Sequence, residues 1–365
     1  MTTANEKTKG LEIKNLKKSF GKMVAVDNVS LSVNSGELVS LLGPSGCGKT
    51  TTLRMIGGLE FPDSGDILVN GISVLSLAPW KRNCGFVFQS YALFPHMTVR
   101  DNIAYGLRLR KWPKERIEAK VDHIVHLLGI EKLLERKPKQ ISGGQQQRVA
   151  VARSLAIEPD ILLMDEPLAN LDAKLRDRIR IELRQIQKDT GVTTVYVTHD
   201  QEEAFALSDF IVIMNQGKIE QMGTPFEIFT QPGTEFVASF VGNSNMLRGS
   251  IESVNDEKAT LNWQGLRIIG RTGQNLREHD DAIAIFRVED VELASDSDQR
   301  QGCILEGRIQ DLVFMGGKYR LVVSVNGEQL LVDLERRIVE EAGLAVDSDV
   351  SLHVKDVYLI PVSCS

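Results

Sequence analysis

The chain has 365 residues, too many for one ordinary core, so two or three domains are expected. Hydrophobic residues make up 42% and charged residues 25%, which argues against a disordered or low-complexity chain. The formal net charge of −6 argues against a general nucleic-acid binder, which needs a basic stripe. No apolar run approaches the roughly 18–20 residues of a membrane span. The opening MTTANEKTKG lacks the apolar segment of a secretory signal. Four cysteines, Cys47, Cys84, Cys303 and Cys364, are scattered without a C-x-x-C pair. These features predict a cytosolic, reduced protein.

In chain order, LEIKNL, VAVDNVSLSV and ELVSLL read as strands separated by turns at Gly21, Asn34-Ser35-Gly36 and Gly43. Residues 65–75 read as a strand pair around Asn70-Gly71, a strong hairpin signal. From about Thr98 to Ile157 the periodicity is helical, interrupted at residues 110–113, and WPKERIEAKVDHIVHLLGI fits an amphipathic helix. The apolar run ILLMDEP is expected as a buried parallel strand. A helix ending at Gly191 follows, then the strand TTVYVTH, the helix QEEAFALSD and the strand FIVIMNQGKI. This alternation predicts an α/β fold on a parallel sheet. After about Phe240 the pattern becomes many short strands, with one short helix near residues 336–345 and a hairpin turn at Asn326-Gly327. We therefore expect domains over residues 1–240 and 241–365, the second a small all-β module.

The chemistry-bearing motif is Gly43-Pro44-Ser45-Gly46-Cys47-Gly48-Lys49-Thr50, a match to G-x-x-x-x-G-K-[ST] placed after a strand and before a helix. Glycines let successive N–H groups curl around an anion, and a helix N-terminus adds partial positive charge. Lys49 is suited to the β- and γ-phosphates of a nucleotide and the Thr50 hydroxyl to Mg²⁺. The phosphate set is Gly43, Ser45, Gly46, Cys47, Gly48, Lys49, Thr50 and Thr51. Cys47 reads chiefly as a small space-filling residue, although a helix N-terminus can lower a thiol pKa. At the end of ILLMDEP, Asp165 fits the Mg²⁺ shell, and Glu166 is the candidate base that polarises an attacking water. To this point the chain reads as an NTP hydrolase or phosphotransferase.

A second Ser/Gly cradle, Ile141-Ser142-Gly143-Gly144-Gln145, opens another helix. Taken alone it could simply be a helix cap. In chain order the sequence carries the phosphate loop, Gln89 in FVFQSYALFP, ISGGQ, LLMDEP, Asn170-Leu171-Asp172 and His199 in VTHD. With this ordered set, the chain from about Leu11 to Phe240 resembles the ATP-binding cassette family, with Ile141 where the family usually has Leu. The resemblance implies a P-loop cassette with a parallel core, an antiparallel β subdomain and a helical subdomain, followed by an OB-like regulatory domain. It also implies that two copies bind ATP and Mg²⁺ head to tail. Each ATP would lie between the phosphate loop of one copy and Ser142, Gly143, Gly144 and Gln145 of the other. In the same way Gln89 is implied as a link between Mg²⁺, the attacking water and the membrane-facing surface. Asp172 would contact the opposite cassette, His199 the γ-phosphate, and Phe20 would stack on adenine.

The function implied is an importer ATPase at the cytoplasmic face of the inner (plasma) membrane. It would be bound peripherally to two transmembrane permease subunits and served indirectly by a solute-binding protein. SYALFPHMTVRDNIAYGL resembles the segment that receives a permease coupling helix; the plainer alternative is internal packing. A DNA-repair type ATPase would need a long coiled coil, and a translation type two cassettes and a basic linker. A metabolic P-loop kinase would lack ISGGQ. The segments FVGNSNMLRG and AIFRVEDVELA resemble the polyamine and iron branch, with Val288 standing where Pro is more usual. Polyamine is the first expectation for the solute and ferric iron the second.

Overall fold

A computed structural model of the chain describes residues 8–294 and 303–362; Cys364 and the first seven residues lie outside them. The described chain divides into two compact units, Met1–Pro225 and Phe226–Ser365.

In the first unit the alternating stretches form β1 (Lys9–Phe20), β2 (Met23–Asn34), β4 (Ser64–Val69) and β5 (Ile72–Ser73). They pair as an antiparallel sheet in the order β2-β1-β4-β5. Asn70 and Gly71, at φ 50° and 78°, make the tight β4–β5 turn that the Asn-Gly pair predicts. The apolar strands β3 (Leu38–Leu42), β6 (Cys84–Val87), β7 (Ile161–Asp165), β8 (Thr193–Thr198) and β9 (Phe210–Asn215) are mutually parallel. FIVIMNQGKI, expected as one strand, is instead a hairpin. Gln216 and Gly217 turn left-handed at φ 45° and 81°, and β10 (Lys218–Gly223) returns antiparallel along β9 at the sheet edge. The order is β10-β9-β3-β8-β7-β6, which puts β3, the strand that feeds the phosphate loop, between β8 and β9.

Successive side chains of β7 point to opposite faces, so this sheet has a core on each side. Leu163 joins Leu11, Ile13, Val26 and Ile67 of the antiparallel sheet and Leu53 and Ile56 of α1 (Lys49–Gly57). Leu162 and Met164 face the helical layer, α2 (Val99–Leu109), α3 (Lys114–Leu127), α4 (Gly143–Ala156) and α5 (Ala173–Thr190). In α3 the spacing of Val121, Ile124 and Val125 buries the stripe that its amphipathic pattern predicts. The helix α6 (Gln201–Leu207) connects β8 to β9.

The second unit is mainly β, with two short helices at its start and a third before its last two strands. The helices α7 (Pro225–Thr230) and α8 (Glu235–Phe240) precede β11 (Ser244–Asn255), β12 (Lys258–Trp263), β13 (Leu266–Arg271) and β14 (Asp281–Arg287). The strands β15 (Val291–Leu293), β16 (Cys303–Phe314), β17 (Lys318–Val325) and β18 (Glu328–Glu335) follow, then α9 (Arg336–Glu341), β19 (Asp349–Val354) and β20 (Tyr358–Pro361). Strand β20 returns to close a five-stranded barrel, β11-β12-β13-β20-β14. The intervening strands form a second sheet, β15-β19-β16-β17-β18. A closed five-stranded barrel is the OB-like architecture expected.

The division falls at Pro225, fifteen residues before the join expected at 240/241, because α7 and α8 are bonded into the barrel. Ala238 packs with Ile283, Ile285, Tyr358 and Ile360 on the barrel's outer face. The buried Arg287 guanidinium donates to the carbonyls of Phe229, Ala238 and Val241 and to Ser244 Oγ. Helices of only six residues are too short to show a helical periodicity, and neither was expected.

Candidate functional site

The phosphate loop is shaped by close approach. Strand β3 is wholly buried and delivers Gly43 to a point where an added Cβ would lie 2.2 Å from Met214 O. Gly46 and Gly48 sit at φ 80° and 105°, and a Cβ on Gly48 would lie 2.3 Å from Ala25 O. A side chain has no room at Gly43 and Gly48, and the left-handed backbone at Gly46 favours glycine. Gly48 precedes α1 without any side-chain cap, so the helix N-terminus faces the loop without a side-chain acceptor. Ser45 and Gly46 are exposed at its crest, and Thr51 is half-buried in the first turn of α1. The Cys47 side chain is buried with the core residues, 3% exposed, and its Sγ accepts from the Lys49 ammonium at 3.7 Å, while its backbone N–H bonds to Pro44 O.

Lys49 is buried, 6% exposed, and its ammonium donates to Gly43 O at 2.8 Å and Pro44 O at 2.9 Å. Among the described residues no carboxylate pairs with it. A buried cation without a counter-charge is costly, and an arriving phosphate is the partner this loop suits. Thr50 Oγ1 donates to Asp165 Oδ1 at 3.1 Å, so the loop hydroxyl and the carboxylate at the end of β7 converge, as two oxygen donors for a hard cation should. Burial raises the Asp165 carboxyl above its usual range, against the Thr50 bond and nearby Arg54 and Lys49.

Glu166 follows Asp165 with φ 44°, a left-handed backbone that is uncommon for glutamate, while its N–H continues the ladder to Val197 O at 3.0 Å. One carboxylate oxygen lies 3.0 Å from His199 Nδ1, at the end of β8, and the other accepts from Gln89 Nε2 at 3.3 Å, just past β6. Three residues read separately from the sequence thus meet at the C-terminal ends of three neighbouring parallel strands.

Two helix starts carry the remaining expectations. Ser142 caps α4: its Oγ accepts from Gln145 N at 3.4 Å and Gln145 Oε1 accepts from Ser142 N at 3.0 Å, with Ser142 and Gly143 exposed and Gly144 buried. Asp172 caps α5, accepting from Leu175 N at 3.0 Å. These two groups bond locally within the chain and are not bonded to the Glu166 cluster. Phe20 is 45% exposed at the end of β1, with Lys18 Nζ 5.1 Å from its ring centroid. It belongs to the hairpin whose second strand meets the phosphate loop at Ala25.

Sequence reasoning missed two supporting residues. Asn170 Nδ2 donates to Gln89 O at 2.8 Å; its place in Asn170-Leu171-Asp172 was the available signal. Arg153 of α4 donates to the carbonyls of Tyr91 and Ala92, and no local pattern marks an arginine within a helix as a loop clamp.

A model of the ABC transporter family matches residues 26–169 and a model of the TOBE domain matches residues 285–357. The chain is 44% identical over 320 residues to the spermidine/putrescine import ATP-binding protein PotA of Lawsonia intracellularis, covering 87% of this chain and 86% of that one. It is 45% identical over 326 residues to PotA 2 of Pseudomonas aeruginosa, covering 88% and 89%. Among solved structures it is similar to cbiO1 of Clostridium perfringens, part of the ABC transporter complex cbiONQ. There the TM-score is 0.58 at 29% identity, covering 62% of this chain and 92% of that one. A dimeric ATP-binding cassette in a post-hydrolysis state bound to ADP and Pi gives 0.53 at 34% identity, covering 59% and 98%. The chain belongs to the ABC transporter family and is an ATP-binding ATPase subunit with a TOBE domain behind its cassette.

Proposed function

We propose that this chain powers polyamine import through separate transmembrane permease subunits, acting as a head-to-tail pair of cassettes. The observation that carries the hydrolytic role is the Glu166 carboxylate held between His199 and Gln89, one residue beyond the Asp165–Thr50 contact. Lys49 and the loop amides would bind the phosphates of ATP, and Phe20 would stack on its base. Thr50, Asp165 and Gln89 would hold Mg²⁺, which when bound neutralises phosphate charge. Glu166 then accepts the proton of the attacking water. His199 Nδ1 orients that carboxylate, leaving Nε2 for the γ-phosphate. Ser142, Gly143, Gly144 and Gln145 of a second copy would close the site, with Asp172 at the same interface. The dimeric relative supports that arrangement. The polyamine reading rests on the names of the whole-length import relatives. With no helix among the described residues long and apolar enough to cross a membrane, attachment at the cytoplasmic face would be peripheral, through the permease. A solute-binding protein would act from the other side.

The test has two arms. Glu166→Gln keeps shape but loses proton acceptance, so turnover should fall roughly 10²–10⁴-fold with ATP still bound. The Mg-ATP dimer should then accumulate on size exclusion, and adding Ser142→Arg should abolish it. Wild-type turnover in Glu166→Gln, or a dimer indifferent to Ser142→Arg, refutes the shared hydrolytic site. Reconstituted with a polyamine permease and binding protein, ATPase activity should rise with spermidine or putrescine. A response to ferric ion alone refutes the polyamine assignment.

A further inference from the structure

The loop that follows Gln89 has a backbone its residues do not favour. Tyr91 has φ 62° and Ala92 φ 47°, two successive left-handed residues, and neither is glycine, asparagine or aspartate. The Tyr91 side chain is buried, 5% exposed, and its hydroxyl has no hydrogen-bond partner among the described residues. The local support is one turn bond, from Tyr91 N–H to Phe88 O at 2.8 Å, which leaves the carbonyls of Tyr91 and Ala92 to be held from outside the loop.

The imposing group is Arg153, in α4. Its Nη2 donates to Tyr91 O at 2.9 Å and its Nη1 to Ala92 O at 2.7 Å, and the guanidinium lies 5.7 Å from the Phe94 ring centroid. Two consecutive left-handed residues turn their carbonyls to one side, and a planar fork with two parallel donors meets both. Upstream, Asn170 Nδ2 holds Gln89 O at 2.8 Å, so the loop is pinned on both sides of Tyr91. From the upstream pin the Gln89 side-chain amide reaches Glu166 Oε2 at 3.3 Å.

We propose that Arg153 is a positioning residue for hydrolysis, clasping the Tyr91 and Ala92 carbonyls so that the left-handed bend keeps the Gln89 amide against Glu166. The inference rests on the reading of Gln89 and Glu166 as the hydrolytic pair. Arg153 stands eleven residues after Ser142, about 16 Å along one continuous helix. The helix that presents the Ser/Gly cradle is thus the same rigid body that sets Gln89. A shift of α4 on closure against a second copy would move both together.

The experiment measures ATP turnover and ATP affinity of the full chain. Arg153→Lys keeps the charge but offers a point donor in place of a fork, and kcat should fall about ten- to a hundredfold, since a small misplacement near the reacting groups costs that much. KM for ATP should stay within about twofold, because Lys49 and the loop amides hold the phosphates independently. Ala92→Gly in the Arg153→Lys background should recover kcat to within about threefold of wild type, because glycine adopts positive φ without a clamp. A residue that only stabilises the fold would not be rescued this way. Should Arg153→Lys fail to fold, Ala92→Val serves instead: Ala92 is exposed, the clamp stays intact, and a β-branched residue opposes the left-handed bend. It should reproduce the loss in kcat. Wild-type kcat in Arg153→Lys or Ala92→Val, or a loss that Ala92→Gly does not recover, overturns the proposal. Glu166→Gln run in parallel separates the cases: if its kcat is also unchanged, the hydrolytic pair itself is misassigned.

Discussion

Single residues here trade stability for chemistry. Burial holds the Asp165 carboxyl above its usual range. A carboxyl whose folded pKa exceeds its unfolded one binds its proton more tightly in the native state. Its cost to stability is therefore absent below the unfolded pKa, grows as the pH rises, and is complete above the folded pKa. Asp165→Asn cannot ionise, so without nucleotide it should raise Tm at pH 7.5, and the gain should shrink as the pH approaches 4. Turnover should fall in the same variant, and thermal melts beside an ATPase assay read both effects. Unchanged Tm at neutral pH would mean that the carboxylate is solvated after all. Tyr91 carries a cost of another kind, a buried hydroxyl without a partner among the described residues. Tyr91→Phe removes that hydroxyl and should stabilise by about 1 kcal/mol, or about 2–4 °C in Tm, with kcat near wild type. A fall in Tm would show that the hydroxyl has a partner, such as a bound water.

Among the elements, the strands of the parallel sheet act as pedestals and the helices as levers. Asp165, Glu166 and His199 owe their meeting to β7 and β8 being neighbours, and Gln89 to β6 lying beside β7. In the second unit a single side chain does comparable work, since Arg287 of β14 ties α7 and α8 to the barrel. Arg287→Ala would remove a guanidinium that is 4% exposed and take a charged donor from the carbonyls of Phe229, Ala238 and Val241, of which Ala238 O keeps the Ser244 hydroxyl. We expect it to destabilise the C-terminal unit by at least about 2 kcal/mol in denaturant unfolding, by the loss of charged hydrogen bonds. ATP binding to the cassette should be unaffected. Unchanged stability would show that the helices are held by Ala238 packing alone.

For the whole molecule, every phosphate-loop, Glu166-cluster and helix-start residue precedes Ser208, so the cassette should bind ATP without the C-terminal unit. Where to cut is a separate matter. A chain ending at Phe240 would keep α7 and α8 while removing the strands that cover Ala238 and satisfy Phe229, whereas one ending at Pro225 respects the division. The shorter chain should therefore be the more soluble, with ATP affinity within about threefold of the full chain, the margin expected when the binding groups are untouched. Isothermal titration and light scattering of the two truncations check this, and loss of ATP binding by a folded 1–225 chain would overturn the division. The sequence by itself determined the phosphate loop, the alternation of strands and helices, and the ordered motifs, because these depend on local periodicity and on glycines that no other residue can replace. It placed Glu166, His199 and Gln89 as candidates but could not bring them together, since that requires the order β6-β7-β8, a non-local property. The β9–β10 hairpin was hidden because Gln216 and Gly217 interrupt one continuous run of strand-like residues. The clamp on Tyr91 and Ala92 and the return of β20 to close the barrel were decided only by tertiary structure. Each depends on contacts between residues about sixty or more positions apart, whose hydrogen bonds no local pattern encodes.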